Sequence, residues 1–258
     1  MTAVATTASV ATSTSRIRPN ELWRIIRLHA VNPSVFFGIP WIILGAAWAV
    51  TMVIALIISG AAGPEGTADM TEGFRYSWAV LSPQWYLIVV GVQAVAYTFS
   101  FALGFGATRR DFWLGTALMF LFVSFEMAIA IATLVQIELA TDGWGIGAAM
   151  FSSLWYGQEG WLVDFYTTFA LQLLVLFIGA SATTVYMRWR TRGMLIVALG
   201  AVVLVLGLIA IATFTDAWID VFTWFGSIGI VGVFTIVLGL AAFFAAAGFL
   251  VIRRATPR

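Results

Sequence analysis

Cysteine and lysine are both missing from this chain of 258 residues, and histidine occurs once, at position 29. Without cysteine there is no disulfide, no thiolate zinc site and no iron–sulfur cluster, and a lone imidazole does not make a histidine metal site. Without lysine there is no phosphate-binding loop of the type whose lysine reaches the nucleotide, so any ATP that drives this protein is hydrolysed on another polypeptide. Charge of either sign is scarce: 10% of the residues are charged, against about a quarter in soluble domains. All 13 basic residues are arginine, and the net charge is only +1. Intramembrane hydrolysis needs a serine–histidine pair, paired aspartates or a metal cluster. The single histidine lies outside the apolar runs and aspartate is absent from their interiors. No catalytic residue, no metal site and no bound cofactor is therefore assigned.

What fills the sequence is apolar: 62% of the residues, with a mean hydropathy of +1.00. No soluble fold of this size hides that much apolar surface, and the chain reads as a protein of the cell membrane. Six runs, near 36–60, 85–106, 112–139, 163–187, 194–214 and 226–252, are each long enough as helices to cross a hydrocarbon layer of roughly 30 Å. They are continuously apolar and do not alternate with period two, which favours helices over a barrel. Arginines cluster at one set of ends: Arg16, Arg18, Arg24 and Arg27 before the first run, Arg109 and Arg110 after the second, Arg188, Arg190 and Arg192 after the fourth, and Arg253, Arg254 and Arg258 after the sixth. Only Arg75 falls on the other side, whereas Glu65, Asp69, Glu72, Asp142, Glu159, Asp164, Asp216 and Asp220 lie in or beside the opposite connections. By the positive-inside rule both termini are cytoplasmic. The expected fold is an all-α integral membrane protein, one six-span domain over 16–258.

Residues 1–15 carry no charge and no aromatic ring, and they read as a disordered tail; their Ser/Thr/Ala bias leaves a transit peptide as the second reading. Next, 20–33 reads as an amphipathic helix lying in the cytoplasmic interface. Leu22, Ile25, Ile26 and His29 share one face, Arg24 and Arg27 the opposite one, and Trp23 the boundary. It either anchors the first span or also touches a cytoplasmic partner.

The connection between the second and third runs, Leu103 to Thr116, reads LGFGATRRDFWLGT. Its tightness places Arg109, Arg110 and Asp111 just clear of the lipid, with Phe112 and Trp113 as anchors. This glycine, arginine-pair and aromatic stretch resembles the element that follows the second span in permease subunits of ATP-binding-cassette exporters of the ABC-2 type. The resemblance extends in organisation to the interfacial helix, the six spans and the cytoplasmic ends. It implies that Arg109, Arg110, Asp111, Phe112 and Trp113 couple the chain to a separate nucleotide-binding ATPase subunit, which carries ATP and Mg. It further implies a second permease subunit, identical or homologous, and export by alternating access. Membrane lipid is the other expected partner, and nucleic acid is not one.

The aromatic, acidic segment 215–225, with Trp218, Phe222, Trp224 and Phe225, is too short to cross. It reads as a short external helix or as an ordinary aromatic belt around a loop; the same exporters commonly have such a helix before their last span. Within the spans, Gln93, Tyr97, Ser100 and Gly104 share one face of the second, and Thr168, Gln172, Gly179, Thr183 and Tyr186 one face of the fourth. Each stripe either packs against a neighbour or lines a pathway, for which the candidates are Gln93, Tyr97, Ser100, Glu126 and Gln172. Glu126, near the middle of the third span, faces protein or water or is protonated. It serves a cationic substrate, carries a proton, or is paired with a polar neighbour. The fifth span is almost devoid of polar atoms, with Gly200 and Gly207 on one face. It suits close packing or an apolar cavity wall, and with it an amphipathic or lipophilic cargo. Two other functions stay open at this point: a proton-coupled secondary transporter using Glu126, and a membrane scaffold or sensor.

Overall fold

A computed structural model describes residues 19–254, and their side chains apart from those of 19 and 62–68. The expected N-terminal tail, Arg16, Arg18 and Arg258 lie outside the described residues. Among these, every regular element is helical: α1 (Pro19–His29), α2 (Ile39–Phe74), α3 (Ser82–Ala96), α4 (Phe99–Gly104), α5 (Arg109–Ala140), α6 (Trp161–Phe214) and α7 (Trp218–Ile252). Among the described residues five helices are long and apolar enough to cross a membrane, so the chain is a multi-pass membrane protein in its architecture.

Local chemistry sets the helix starts. Thr108, in extended conformation, accepts a hydrogen bond from the Asp111 backbone N–H (3.1 Å) and donates its hydroxyl proton to Asp111 Oδ2 (2.8 Å); it is a side-chain N-cap, and it starts α5 at Arg109. Pro40 and Pro83 occupy the first turns of α2 and α3, where a missing N–H costs nothing. A π-helical turn, Ser34–Gly38, joins α1 to α2. The first apolar run does not end in a loop at Gly60: α2 continues to Phe74.

Two helices are broken by a single residue. In α6, 54 residues long, Arg190 has φ 57° and ψ −151°; in α7, Gly229 has φ 63° and ψ −177°. Both lie in a region that is essentially glycine's own, and a non-glycine residue there costs about 1–3 kcal/mol. A glycine follows three residues after each break. A Cβ at Gly193 would lie 2.5 Å from Trp189 Cβ, and one at Gly232 would lie 2.6 Å from Ile228 Cβ. Each helix is kinked at its break by the same device. The second break separates the aromatic segment 218–228 from the long apolar remainder of α7.

The main core joins α1, α3, α5, α6 and α7 through Ile25, Leu87, Val90, Phe112, Phe120, Leu176, Phe177 and Ile252, all buried. Helices α3 and α6 touch backbone to backbone. A Cβ at Gly91 would sit 2.2 Å from the Leu176 carbonyl oxygen, and one at Gly179 would sit 2.1 Å from that of Ile88. Close small-residue seams of this kind hold helices together where lipid removes the hydrophobic drive to associate. Beyond Arg190 the character changes. Leu195, Leu199, Leu204, Leu208 and Ile211 are each at least 60% exposed, and the most apolar window of α6 has no buried residue. A helix apolar all round and bare all round presents the surface that hydrocarbon covers. Among the described residues nothing outside the helix's own turn lies within 4 Å of a Cβ placed at Gly200 or Gly207, so these two form no packing seam there.

Candidate functional site

At the arginine-bearing end, α1 is fixed to α5 by two contacts. Gly115 admits Ile25: a Cβ there would lie 2.7 Å from Ile25 Cβ. One turn on, His29 Nε2 lies 3.0 Å from Thr116 Oγ1, which itself donates to the Phe112 carbonyl (2.9 Å). The Thr116 proton being committed, the imidazole donates from Nε2, and its Nδ1 is buried without a partner. Burial accordingly holds the His29 pKa down, from 6.5 to about 4. The face predicted for this helix is the one that docks: Ile25 and His29 are buried, Leu22 and Ile26 are half-buried, and Arg24, Arg27 and Trp23 are exposed. Arg24 also pairs with Glu21 at 3.1 Å.

Docking should therefore depend on pH. A detached α1 takes up a proton near pH 6.5, whereas the docked form resists protonation down to about pH 4. Docking is strongest above pH 6.5 and weakens as pH falls toward 4, by on the order of 3 kcal/mol. Hydrogen-exchange protection of the α1 amides, corrected for intrinsic rate, should fall over that window in the native protein. It should stay flat in His29→Asn.

The five residues of the arginine-pair stretch divide between surface and interior. Asp111 is spent on the cap; Phe112 and Trp113 are 0% and 4% exposed, hence core residues and not the interfacial anchors expected. The Trp113 indole N–H donates to the Ala245 carbonyl of α7 (3.1 Å), and Gly248 gives its ring space, with Cζ2 2.6 Å from where a Cβ would stand. Arg109 and Arg110 remain partly exposed at the tip. Arg109 Nη1 donates to the Arg253 carbonyl (2.9 Å), tying the start of α5 to the last turn of α7. Between α1 and the α4–α5 turn lies a cleft of about 570 Å³, bounded by Glu21, Arg24, Arg27, Leu28, Phe105 and Ala107.

The five pathway candidates are not joined by hydrogen bonds to one another. Gln93 is half-buried, and Tyr97 and Ser100 face outward. Gln172 is wholly buried with neither amide atom partnered among the described residues; of the rest of its stripe, Thr168, Gly179 and Thr183 are buried and Tyr186 is exposed. Glu126 meets α2: the Trp41 indole N–H donates to Oε1 (3.0 Å), while Oε2 is enclosed without a partner among the described residues.

At the opposite end the sequence concealed a second carboxylate of structural weight. Glu138 is 1% exposed and accepts from four donors: the Met150 and Ser152 backbone N–H groups (3.1 and 2.8 Å), the Ser152 hydroxyl (2.8 Å) and the Trp144 indole (2.8 Å). It organises the α5–α6 connection, which turns through positive φ at Asp142, Gly143, Trp144, Gly145 and Gly147. Asp164 supports the same connection, accepting from the Gly157 N–H (2.9 Å) and the Gln136 amide (3.3 Å). No protein-family model, no curated protein and no solved structure matches this chain.

Proposed function

We propose that this chain is the membrane-spanning permease subunit of an ATP-binding-cassette exporter. In this reading it crosses the membrane six times, the Arg190 break dividing α6 into two crossings, and both termini are cytoplasmic. A separate subunit binds ATP and Mg, and a second permease completes the pathway for an amphipathic or lipophilic cargo. The observation that carries the reading is the cleft between α1 and the α4–α5 turn, whose wall residues Phe105 and Ala107 lie two to four positions before Arg109 in the chain. A protein segment seated there bears on α1 and on the turn that leads into α5. Because Ile25 and His29 fix one helix to the other, a push at the cleft moves them as one body, and Trp113 and Arg109 carry the motion into α7. That is the mechanical requirement for coupling to an ATPase.

The test is purification of the tagged protein in mild detergent, with identification and ATPase assay of what accompanies it. A stoichiometric nucleotide-binding subunit is expected. Arg109→Glu with Arg110→Glu should abolish its co-purification, leaving the helical circular dichroism of the permease unchanged; undiminished complex formation would refute the coupling role. The free Oε2 of Glu126 favours one second reading, a proton-coupled transporter. A chain that purifies alone, and whose reconstituted vesicles carry protons in a Glu126-dependent manner, would replace the first reading with the second.

A further inference from the structure

We infer that Arg188, Arg253 and Arg254 form a binding site for the phosphate-diester headgroup of an anionic phospholipid. The three side chains come from the end of the first half of α6 and from the last turn of α7, and they line one cavity of about 460 Å³ with Leu250 and Val251. That volume lies within the roughly 300–1,000 Å³ typical of small-molecule sites. Among the described residues no carboxylate lines it. A solvated basic patch would leave its guanidinium groups free to wander. Here two are already held: Arg188 Cζ lies 4.3 Å from the centre of the Trp189 ring, and Arg253 Cζ lies 5.6 Å from that of Phe249. Guanidinium groups held over aromatic rings lose little further freedom when they take up a phosphate, and their paired N–H groups match its oxygens.

The occupant is a lipid and not a soluble phosphate because of the cavity's other wall and its level. Leu250 is 60% exposed and Val251 is half-buried, both on the long apolar segment of α7, so apolar surface runs from the cavity along the helix. A ligand that satisfies both walls carries an anion at one end and a glycerol and acyl body at the other. Basic cavities between spans at the membrane boundary select such headgroups. Arg109 completes the arrangement from below, its guanidinium on the Arg253 carbonyl holding the end of α7 in place.

Native mass spectrometry of the purified full chain tests this, with phosphatidylglycerol and phosphatidylcholine of identical acyl chains as the probes. The native protein should retain phosphatidylglycerol preferentially. Arg188→Gln with Arg254→Gln should weaken that lipid by roughly thirtyfold without changing phosphatidylcholine retention. Arg188→Lys with Arg254→Lys, which keeps the charge and the fold but removes the paired donors, should give an intermediate loss. Equal retention of phosphatidylglycerol by native and Gln-substituted protein overturns the site. Displacement of the lipid by millimolar inorganic phosphate overturns the lipid assignment in favour of a soluble anion. None of these outcomes depends on whether an ATPase accompanies the chain, so this site and the exporter reading stand or fall separately.

Discussion

Glu138→Ala is expected to dissolve the connection between α5 and α6. Four donors converge on that buried carboxylate, and a donor stranded in the interior costs about 1–3 kcal/mol. Water entering the loosened loop recovers part of the loss, leaving on the order of 4 kcal/mol. The positive-φ residues of 142–147 are otherwise tied by turn hydrogen bonds and by the Thr71 hydroxyl on the Gly147 carbonyl (3.0 Å). The turn should therefore release Met150, Phe151 and Tyr156, which form the buried cluster beneath it with Leu44 and Met127. Chymotrypsin, which cuts beside aromatic residues, should cleave the native connection slowly and the variant quickly, with a matching red shift of tryptophan emission. Glu138→Gln preserves the shape but turns an amide N–H₂ toward donors, and should fall between the two. Slow cleavage of the alanine variant would show that backbone turns alone hold the loop.

Gly179→Leu should prevent assembly of the bundle, and even Gly179→Ala should damage it. The new Cβ would stand 2.1 Å from the Ile88 carbonyl oxygen, 2.9 Å from Val92 N and 3.1 Å from Gly91 Cα. These are backbone atoms of another helix, unable to step aside as a side chain does, so α3 and α6 must separate at the centre of the core. Overpacking commonly costs about 1–3 kcal/mol; a backbone clash at this crossing belongs at or above the top of that range. The measurement is the monodisperse yield and thermal midpoint in detergent, with Gly45→Ala and Gly200→Ala as controls. Both control sites face open space, and alanine there should be neutral or stabilising by up to about 1 kcal/mol. A monodisperse Gly179→Leu protein of native midpoint would remove the α3–α6 seam as a determinant of the fold.

These contrasts explain what could be read in advance. Hydropathy reports length and burial in lipid, so the apolar runs coincide with helices, and the two-faced spacing of Leu22, Ile25, Ile26 and His29 reported a docked face. Hydropathy does not report which glycine meets which helix. Gly200 and Gly207 have a seam's spacing and meet nothing, whereas Gly91, in the run 85–106 and lacking any periodic partner, meets a carbonyl. The Gly-Pro-Glu-Gly stretch at 63–66 resembles a loop, yet α2 passes through it, because an apolar helix on one side and packing of Met70 on the other outweigh local breakers. Phe112 and Trp113 look like interfacial anchors by position, but space at Gly248 draws the indole inward. Glu138 stood at the edge of an apolar run beside other acids. Nothing local distinguished it, since its four donors come from 6 to 14 residues further along the chain.

The Arg190 break also bears on how the protein is made. Residues 161–214 emerge from the ribosome with only the short arginine-bearing stretch 188–193 between the two halves of α6, and as one straight helix they would measure roughly 80 Å, far more than any bilayer thickness. Arg188, Arg190 and Arg192 are the only charges between Asp164 and Asp216, so they are the sole feature by which the insertion machinery can tell where one segment stops and the next begins. In the six-span reading proposed above, the two halves enter together as a hairpin, and the arginines at its tip act as its stop signal before they act in anything else.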